Sequence, residues 1–300
     1  MQTILEQLFV LYTFLLIGWG FGKLKKDLSS HTQILSFLLV NLFLPAKVFN
    51  SFSKNFTTDY ITNNYTTIFI STALLLTLVG ISIPISKLLT KDDYERRVYR
   101  YSVPLANYAY MGYALVEDLD GGKVLTNLIL FCIPFAIYTY SFGYMLLTEN
   151  GASLKKLFNP ITCAILLGAV IGLISIPIPE MLGKVITSSS SCVGPLAMLL
   201  TGITLSQFKF SELVGNKTAY IVCALRLIGL PLAVFGIFKL LGFNTLLPYA
   251  TLMASMPTGL NTIVFPKLVG KDCKTGARLA FLSHLFSCAT LPVWLSIIKF

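Results

Sequence analysis

The sequence predicts an all-α integral membrane protein: ten transmembrane helices in two inverted repeats of five, with helices 4 and 9 broken where they cross. Three observations carry this. Charged residues are only 12% and hydrophobic residues 55% of the 300-residue chain, with a mean hydropathy of +0.76; a soluble chain carries about 25% charged residues. A shift of 150 places Gly18 on Gly168, Gly22 on Gly172, Leu16 on Leu166, Pro45 on Pro195 and Asn107 on Pro257 without a gap. The glycines and prolines share that one offset, which sets the match apart from the background similarity of apolar sequences. Finally, an interrupted, weakly hydrophobic segment stands at the matching place in each half, the sequence mark of a transporter site.

Ten apolar runs follow in order. The first, Leu8 to Phe21, lacks a basic leader region and a small-residue cleavage site, so it is expected to be a retained span. The second, Thr32 to Phe49, contains Asn41 and Pro45, and the third lies within the uncharged run Tyr60 to Ser86. The fourth, Tyr101 to Val116, is short, tyrosine-rich and interrupted. Val124 to Leu147, Phe158 to Ile176, Val185 to Leu205 and Thr218 to Phe238 are the fifth to eighth. The ninth has no charge from Leu240 to Pro266 and carries Pro257, Gly259 and Asn261 in its middle; the tenth, Leu279 to Ile298, contains His284. Runs of this length can span a bilayer. Five spans per half is an odd number, so the halves, 1–150 and 151–300, must be inverted.

Lys and Arg concentrate in cytoplasmic loops. With the amino terminus outside, the inner loops hold sixteen, among them Lys23, Lys87, Arg96, Arg97, Arg100, Lys155, Lys156, Lys274 and Arg278. The outer segments hold five, Lys54, Lys123, Lys184, Lys239 and Lys299. A multi-pass protein of the cell membrane with both termini extracellular is therefore expected. The net charge of +10 is explained by these loops and gives no reason to expect nucleic acid; membrane lipids are the expected surroundings.

A helix broken at membrane depth must satisfy its freed backbone groups inside the protein or in a water-filled cavity. The stretch Ala254-Ser-Met-Pro257-Thr-Gly259-Leu-Asn261 is thus a candidate binding site, or else a proline kink packed against its neighbours. Its counterpart is Pro104-Leu-Ala-Asn107-Tyr-Ala-Tyr-Met111-Gly112. Half-helix amino termini at such a crossing suit a carboxylate. Asn107, Met111, Gly112, Ser255, Met256, Pro257, Thr258 and Asn261 are the candidate substrate-binding residues, with amides and hydroxyls that favour a small organic anion. Arg226 is either a further anion ligand or a structural cap on carbonyls of a broken neighbour. His284 is either a neutral hydrogen-bonding residue or a proton carrier. Lys47, two residues past Pro45, suits snorkelling to the outer interface. All thirteen acidic residues lie in loops or at span ends, against a cation held by buried carboxylates.

The six cysteines are scattered without a Cys-x-x-Cys pair, so neither a disulfide framework nor a metal site is expected. No Gly-x4-Gly-Lys-Ser/Thr motif is present, so the driving force is expected to be a coupling ion, H+ or Na+, or the substrate's own gradient, with no cofactor. An intramembrane enzyme would need a motif such as His-Glu-x-x-His, and none is found. A membrane sensor or receptor for the same anion is the alternative that the paired interruptions oppose least strongly.

Several motifs, in order, resemble the auxin efflux carrier family, which includes malate-permease-like and PIN-type carriers: Asn41-Leu-Phe-Leu-Pro45-Ala, Asn107-Tyr-Ala-Tyr-Met-Gly112, Asn159-Pro160, Gly194-Pro195-Leu-Ala-Met-Leu-Leu-Thr-Gly202, Arg226-Leu-Ile-Gly-Leu-Pro231 and Met256-Pro257. The resemblance implies a PIN-like, bile acid:sodium symporter-like fold. It implies a scaffold of helices 1, 2, 6 and 7, and a transport domain of helices 3–5 and 8–10 moving like an elevator. It also implies crossing points at Asn107 and Pro257 and a homodimer through the scaffold. The chain departs from plant members in lacking a long central loop, and in having Lys47 where an apolar residue is usual.

Overall fold

The computed structural model describes residues 2–25, 28–117, 119–148, 160–269, 271–298 and 300. Lys26, Lys155, Lys156, Lys299, Asn159 and the boundary between the two halves, all used above, lie outside the described residues.

Among the described residues the secondary structure is helical, apart from one isolated bridge between two extended residues. Seven helices among the described residues are long and apolar enough to cross a membrane: Glu6–Leu24, Thr32–Asn55, Asn64–Leu89, Leu119–Thr148, Glu180–Leu205, Lys217–Leu240 and Lys274–Ile297. The other three stretches read as spans are the shorter helix Pro160–Ile174 and the two interrupted segments. Among the described residues, the fourth and ninth stretches are interrupted next to Pro104 and Pro257.

In detail, α1 (Gln2–Leu24) leads to α2 (Leu28–Leu38) and α3 (Leu44–Asn55), joined by a π-helical turn, Leu39–Phe43. Pro45 stands at the start of α3. It lacks the N–H that would reach back one turn, and the widened turn before it absorbs the fault. The same device joins α13 (Lys217–Ala224) to α14 (Leu230–Leu240), where a π turn over Leu225–Gly229 precedes Pro231. Thr57 caps α4 (Thr58–Leu89) by accepting from the Tyr60 N–H at 3.3 Å, and Asp92 caps α5 (Asp93–Ser102) from the Glu95 N–H at 2.7 Å.

Between them lie α6 (Tyr113–Val116), α7 (Lys123–Tyr138), α8 (Tyr144–Thr148), α9 (Pro160–Ile174), α10 (Glu180–Ser191), α11 (Val193–Leu205) and α12 (Phe210–Val214). The chain closes with α15 (Leu247–Ser255), α16 (Asn261–Leu268) and α17 (Lys274–Ile297).

Lipid removes most of the hydrophobic drive between helices, so association depends on close packing of small residues. Here α1 packs on α11, and α3 on α9. A Cβ on Gly18 would lie 2.3 Å from the Leu199 carbonyl oxygen, and one on Gly202 would lie 2.0 Å from that of Leu15. On the second pair, a Cβ on Gly168 would meet the Phe49 carbonyl oxygen at 3.0 Å, and one on Gly172 the Phe56 carbonyl oxygen at 2.7 Å. Both contacts are backbone against backbone, which only glycine permits.

Polar contacts concentrate at two ends. At one end, Tyr60 donates to Asn127 Oδ1 at 2.7 Å and Asn127 Nδ2 to the Tyr249 hydroxyl at 2.9 Å, close to Lys54 and Lys123. At the other, Lys274 pairs with Glu212 at 2.8 Å, Arg278 with Glu95 at 3.7 Å, and the Tyr94 hydroxyl donates to the Asp272 carbonyl. The Lys274 bond and the Lys209 N–H hold the Glu212 carboxyl below its ordinary range.

Candidate functional site

Helix α5 stops at Ser102 because Pro104 follows, and α15 stops at Ser255 because Pro257 follows. Met256, the residue before proline, is extended at φ −65°, ψ 148°. The two non-helical stretches face each other. Ala106 and Thr258 form an antiparallel bridge, and the Asn107 N–H donates to the Pro257 carbonyl at 2.8 Å. Gly259 allows the approach, since a Cβ there would lie 3.3 Å from the Ala106 carbonyl oxygen.

Helical structure then resumes after both stretches. Asn107 precedes a π turn, Tyr108–Gly112, and its carbonyl accepts the N–H groups of Met111 at 3.1 Å and Gly112 at 3.3 Å. Asn261 begins α16. All eight residues expected at the crossing are buried. Met111 is wholly enclosed, and Gly112 lies against Met256, whose Cε would be 3.9 Å from an added Cβ. The Ser255 hydroxyl turns back to the Leu252 carbonyl at 2.9 Å, within its own helix.

Arg226, fully buried, supplies the electrostatic balance. Its Nη1 donates to the Val103 carbonyl at 2.8 Å, Nη2 to Met253 at 2.9 Å and Nε to Met256 at 3.3 Å. Those carbonyls are the open carboxyl-terminal ends of α5 and α15. Each helix end carries roughly half a negative charge, so two of them offset one guanidinium. Of the two roles open in the sequence, the capping of carbonyls is the one with this geometry, and here it spans the ends of α5 and α15.

Consecutive residues of α17 meet the two stretches separately. The Ser283 hydroxyl accepts from the Thr258 N–H at 3.1 Å and lies 2.9 Å from the Thr258 hydroxyl. His284 Nε2 lies 3.1 Å from Asn107 Nδ2, and its Nδ1 lies 2.7 Å from the Ala280 carbonyl. A carbonyl only accepts, so Nδ1 carries the proton. In that tautomer Nε2 accepts from the Asn107 amide. The Asn107 Oδ1, Asn261 Oδ1 and Thr251 Oγ1 atoms are buried with no protein partner.

The crossing is packed. A cavity of about 390 Å³ reaches it through His284, between Tyr12, Leu15 and Trp19 of α1 and Phe281 and Cys288 of α17. Two polar cavities of about 430 and 540 Å³ sit at the Lys54–Lys123 end and share Asn64 and Asn127.

Lys47 does not snorkel. Its side chain is 0% exposed and bonds Glu117 Oε2 at 2.5 Å. It is enclosed by the protein, and the carboxylate that follows α6 supplies a counter-charge. Sequence reading missed Glu117 as a partner, although Glu117 directly follows an apolar run. It also passed over Ser283 and Thr251. Their spacing on a helix carries no signal until the neighbouring helices are placed.

Buried polar groups gathered at two facing helix interruptions, within an all-helical multi-pass membrane protein, mark the class of integral membrane transporters. Comparison agrees: a family model described as membrane transport protein matches residues 3–157 and 152–295. The chain belongs to that family, the auxin efflux carrier family. It is also similar to an uncharacterized transporter of Methanocaldococcus jannaschii, 24% identical over 293 residues and covering 91% of each chain.

Proposed function

We propose that the protein is a secondary active transporter of small organic anions, moving malate-like di- or monocarboxylates by elevator-type alternating access. The observation that carries this is the Asn107–Pro257 bond, which brings two proline-made interruptions together among buried polar groups. Arg226 occupies the carbonyl ends of both broken helices. The helix starts at Asn107 and Asn261 are thereby left to favour an anion. The unpartnered Oδ1 atoms of the two asparagines are acceptors, which suits a hydroxyl donor on the substrate such as that of a 2-hydroxy acid.

In this scheme ten helices form two inverted repeats, residues 1–150 and 151–300. Support comes from the glycine contacts: Gly18 against Leu199 and Gly22 against Ser206 become Gly168 against Phe49 and Gly172 against Phe56 under the same shift of 150. The pairs α1·α11 and α3·α9 are the proposed scaffold, through which two copies would associate. The remaining helices form the body that moves. The distribution of Lys and Arg supports a cell-membrane protein with both termini outside.

His284 is the proposed proton carrier, with H+ preferred to Na+ as the coupling ion. The Asn107 amide donates to neutral His284, and its free Oδ1 would accept from the protonated ring after a flip. Protonation thus changes what Asn107 presents at the crossing.

Uptake of radiolabelled malate into proteoliposomes, with and without an inward proton gradient, tests the proposal. Gradient-stimulated accumulation is expected. Binding without accumulation would make the protein a receptor and overturn it.

A further inference from the structure

Helix α1 carries Tyr12, Leu15, Leu16, Trp19 and Lys23 at helical spacing, one stripe along the helix. The first four of these form one wall of the cavity of about 390 Å³, and Phe281, Leu285 and Cys288 of α17 stand opposite. The two ends differ in chemistry. At one, the Tyr12 hydroxyl lies 2.6 Å from the Ser287 hydroxyl and ties α1 to α17. At the other, Lys23 Nζ stands 5.8 Å from the centre of the Trp19 ring. Leu16, Trp19 and Leu285 are exposed in helices that are long and apolar enough to cross a membrane, so the cavity opens sideways to lipid.

We propose that this cavity binds one acyl chain of an anionic phospholipid, with the headgroup at Lys23. Three features point to that occupant. The walls are apolar, and apolar cavities of even about 150 Å³ stay dry and take apolar guests. The length fits: the rise from Tyr12 to Lys23 is roughly 16 Å of helix, about half of a hydrocarbon core of ~30 Å. One chain therefore reaches from the tyrosine–serine bond to the interface of one leaflet. The charge fits as well. Lys23 and Lys25 are exposed at that end, and Lys23, Lys25 and Lys26 are opposed in the sequence around them by Asp27 alone. Basic groups at the edge of a pocket between transmembrane helices select anionic headgroups.

A malate-like anion does not suit this cavity, since its carboxylates would meet leucine, phenylalanine and tryptophan side chains. His284 lines it too, but both ring nitrogens are engaged, by Asn107 and by the Ala280 carbonyl. The imidazole therefore presents no free nitrogen to a guest. A chain in the cavity packs against α1 and α17 together and braces the pair beside the Tyr12–Ser287 bond. Such binding stabilises the folded protein by mass action. The site does not depend on what passes the crossing.

The test uses the full chain in phosphatidylcholine liposomes with a small fraction of a photoactivatable lipid that carries a diazirine midway along one acyl chain. Crosslinks are located by mass spectrometry, and phosphatidylglycerol and phosphatidylcholine forms of the probe are compared. The phosphatidylglycerol probe should label Tyr12–Trp19 and Phe281–Cys288 about fivefold or more above the phosphatidylcholine probe, the preference that one lysine near the surface confers. Unlabelled phosphatidylglycerol should compete. Lys23→Gln should remove most of the preference and Lys23→Arg should keep it. Labelling at Phe69 and Leu76, exposed on α4, should be equal for the two probes and unchanged by either variant, which also confirms folding. Equal labelling of the cavity by both headgroups overturns the site, as does cavity labelling no stronger than that of α4, which would leave bulk lipid only. A preference that survives Lys23→Gln overturns the headgroup assignment. In detergent, phosphatidylglycerol should raise the melting temperature of the parent more than phosphatidylcholine does, and Lys23→Gln should abolish the difference; equal shifts by the two lipids in the parent overturn the site.

Discussion

Replacing Arg226 with alanine should be a folding defect before it is a transport defect. The guanidinium satisfies three buried carbonyls, those of Val103, Met253 and Met256. A buried polar group left without a partner costs about 1–3 kcal/mol, so three give roughly 3–9 kcal/mol before relaxation. The whole margin of a folded protein is about 5–15 kcal/mol. At roughly 2–4 °C per kcal/mol, even the lower bound lowers the melting temperature by at least about 6 °C. Arg226→Lys should fall between, since one compact ammonium cannot serve three carbonyls in a fixed fork. Size-exclusion chromatography and thermal melting in detergent read both variants. If Arg226→Ala purifies as a single species, melts within about 2 °C of the parent and merely raises the KM for malate, the capping argument is refuted and the arginine is a ligand for the anion.

Three further outcomes are expected. His284→Gln should flatten the pH dependence of malate uptake, because an amide can bond Asn107 but cannot take up a proton; an unaltered pH profile removes the proton role. Asn261→Ala should lower malate uptake by about tenfold, the loss of one buried hydrogen bond to a charged ligand, while membrane insertion and melting stay near parental. Normal uptake would exclude Asn261 from the site. Gly202→Ala places a methyl 2.0 Å from the Leu15 carbonyl oxygen and should destabilise by about 1–3 kcal/mol. Gly20→Ala, which meets nothing within 4 Å, should melt at or slightly above the parent and serves as the control.

Much of the architecture was legible in the chain because its signals are local or periodic. Pro257 ends α15 inside the ninth apolar run, since a missing N–H acts on its own helix whatever surrounds it, whereas α5, Asp93–Ser102, covers Arg96, Arg97 and Arg100, which read as an inner loop. Gly18, Gly22, Gly168 and Gly172 mark the helix faces that make backbone contact, because only residues without a side chain allow it. The candidate residues Asn107 and Thr258 were legible as polar groups out of place in an apolar run. Their partners His284 and Ser283 lie 177 and 25 residues away in the chain, and neither pairing has a local signature. Lys47 was misjudged for the same reason. Position in a span indicates depth, not whether a lysine faces lipid or a carboxylate 70 residues on.

Composition and the spacing of prolines and glycines were sufficient to determine a multi-pass helical membrane protein with two interruptions, for hydropathy and backbone chemistry are properties of short segments. Only the tertiary structure decided that Arg226 bonds the carbonyl ends of α5 and α15, that His284 meets Asn107, and that Glu117 receives both Lys47 and Ser190. In a low-dielectric interior a charge is stabilised by whichever groups packing brings within about 3 Å, and that is set by how helices far apart in sequence are juxtaposed.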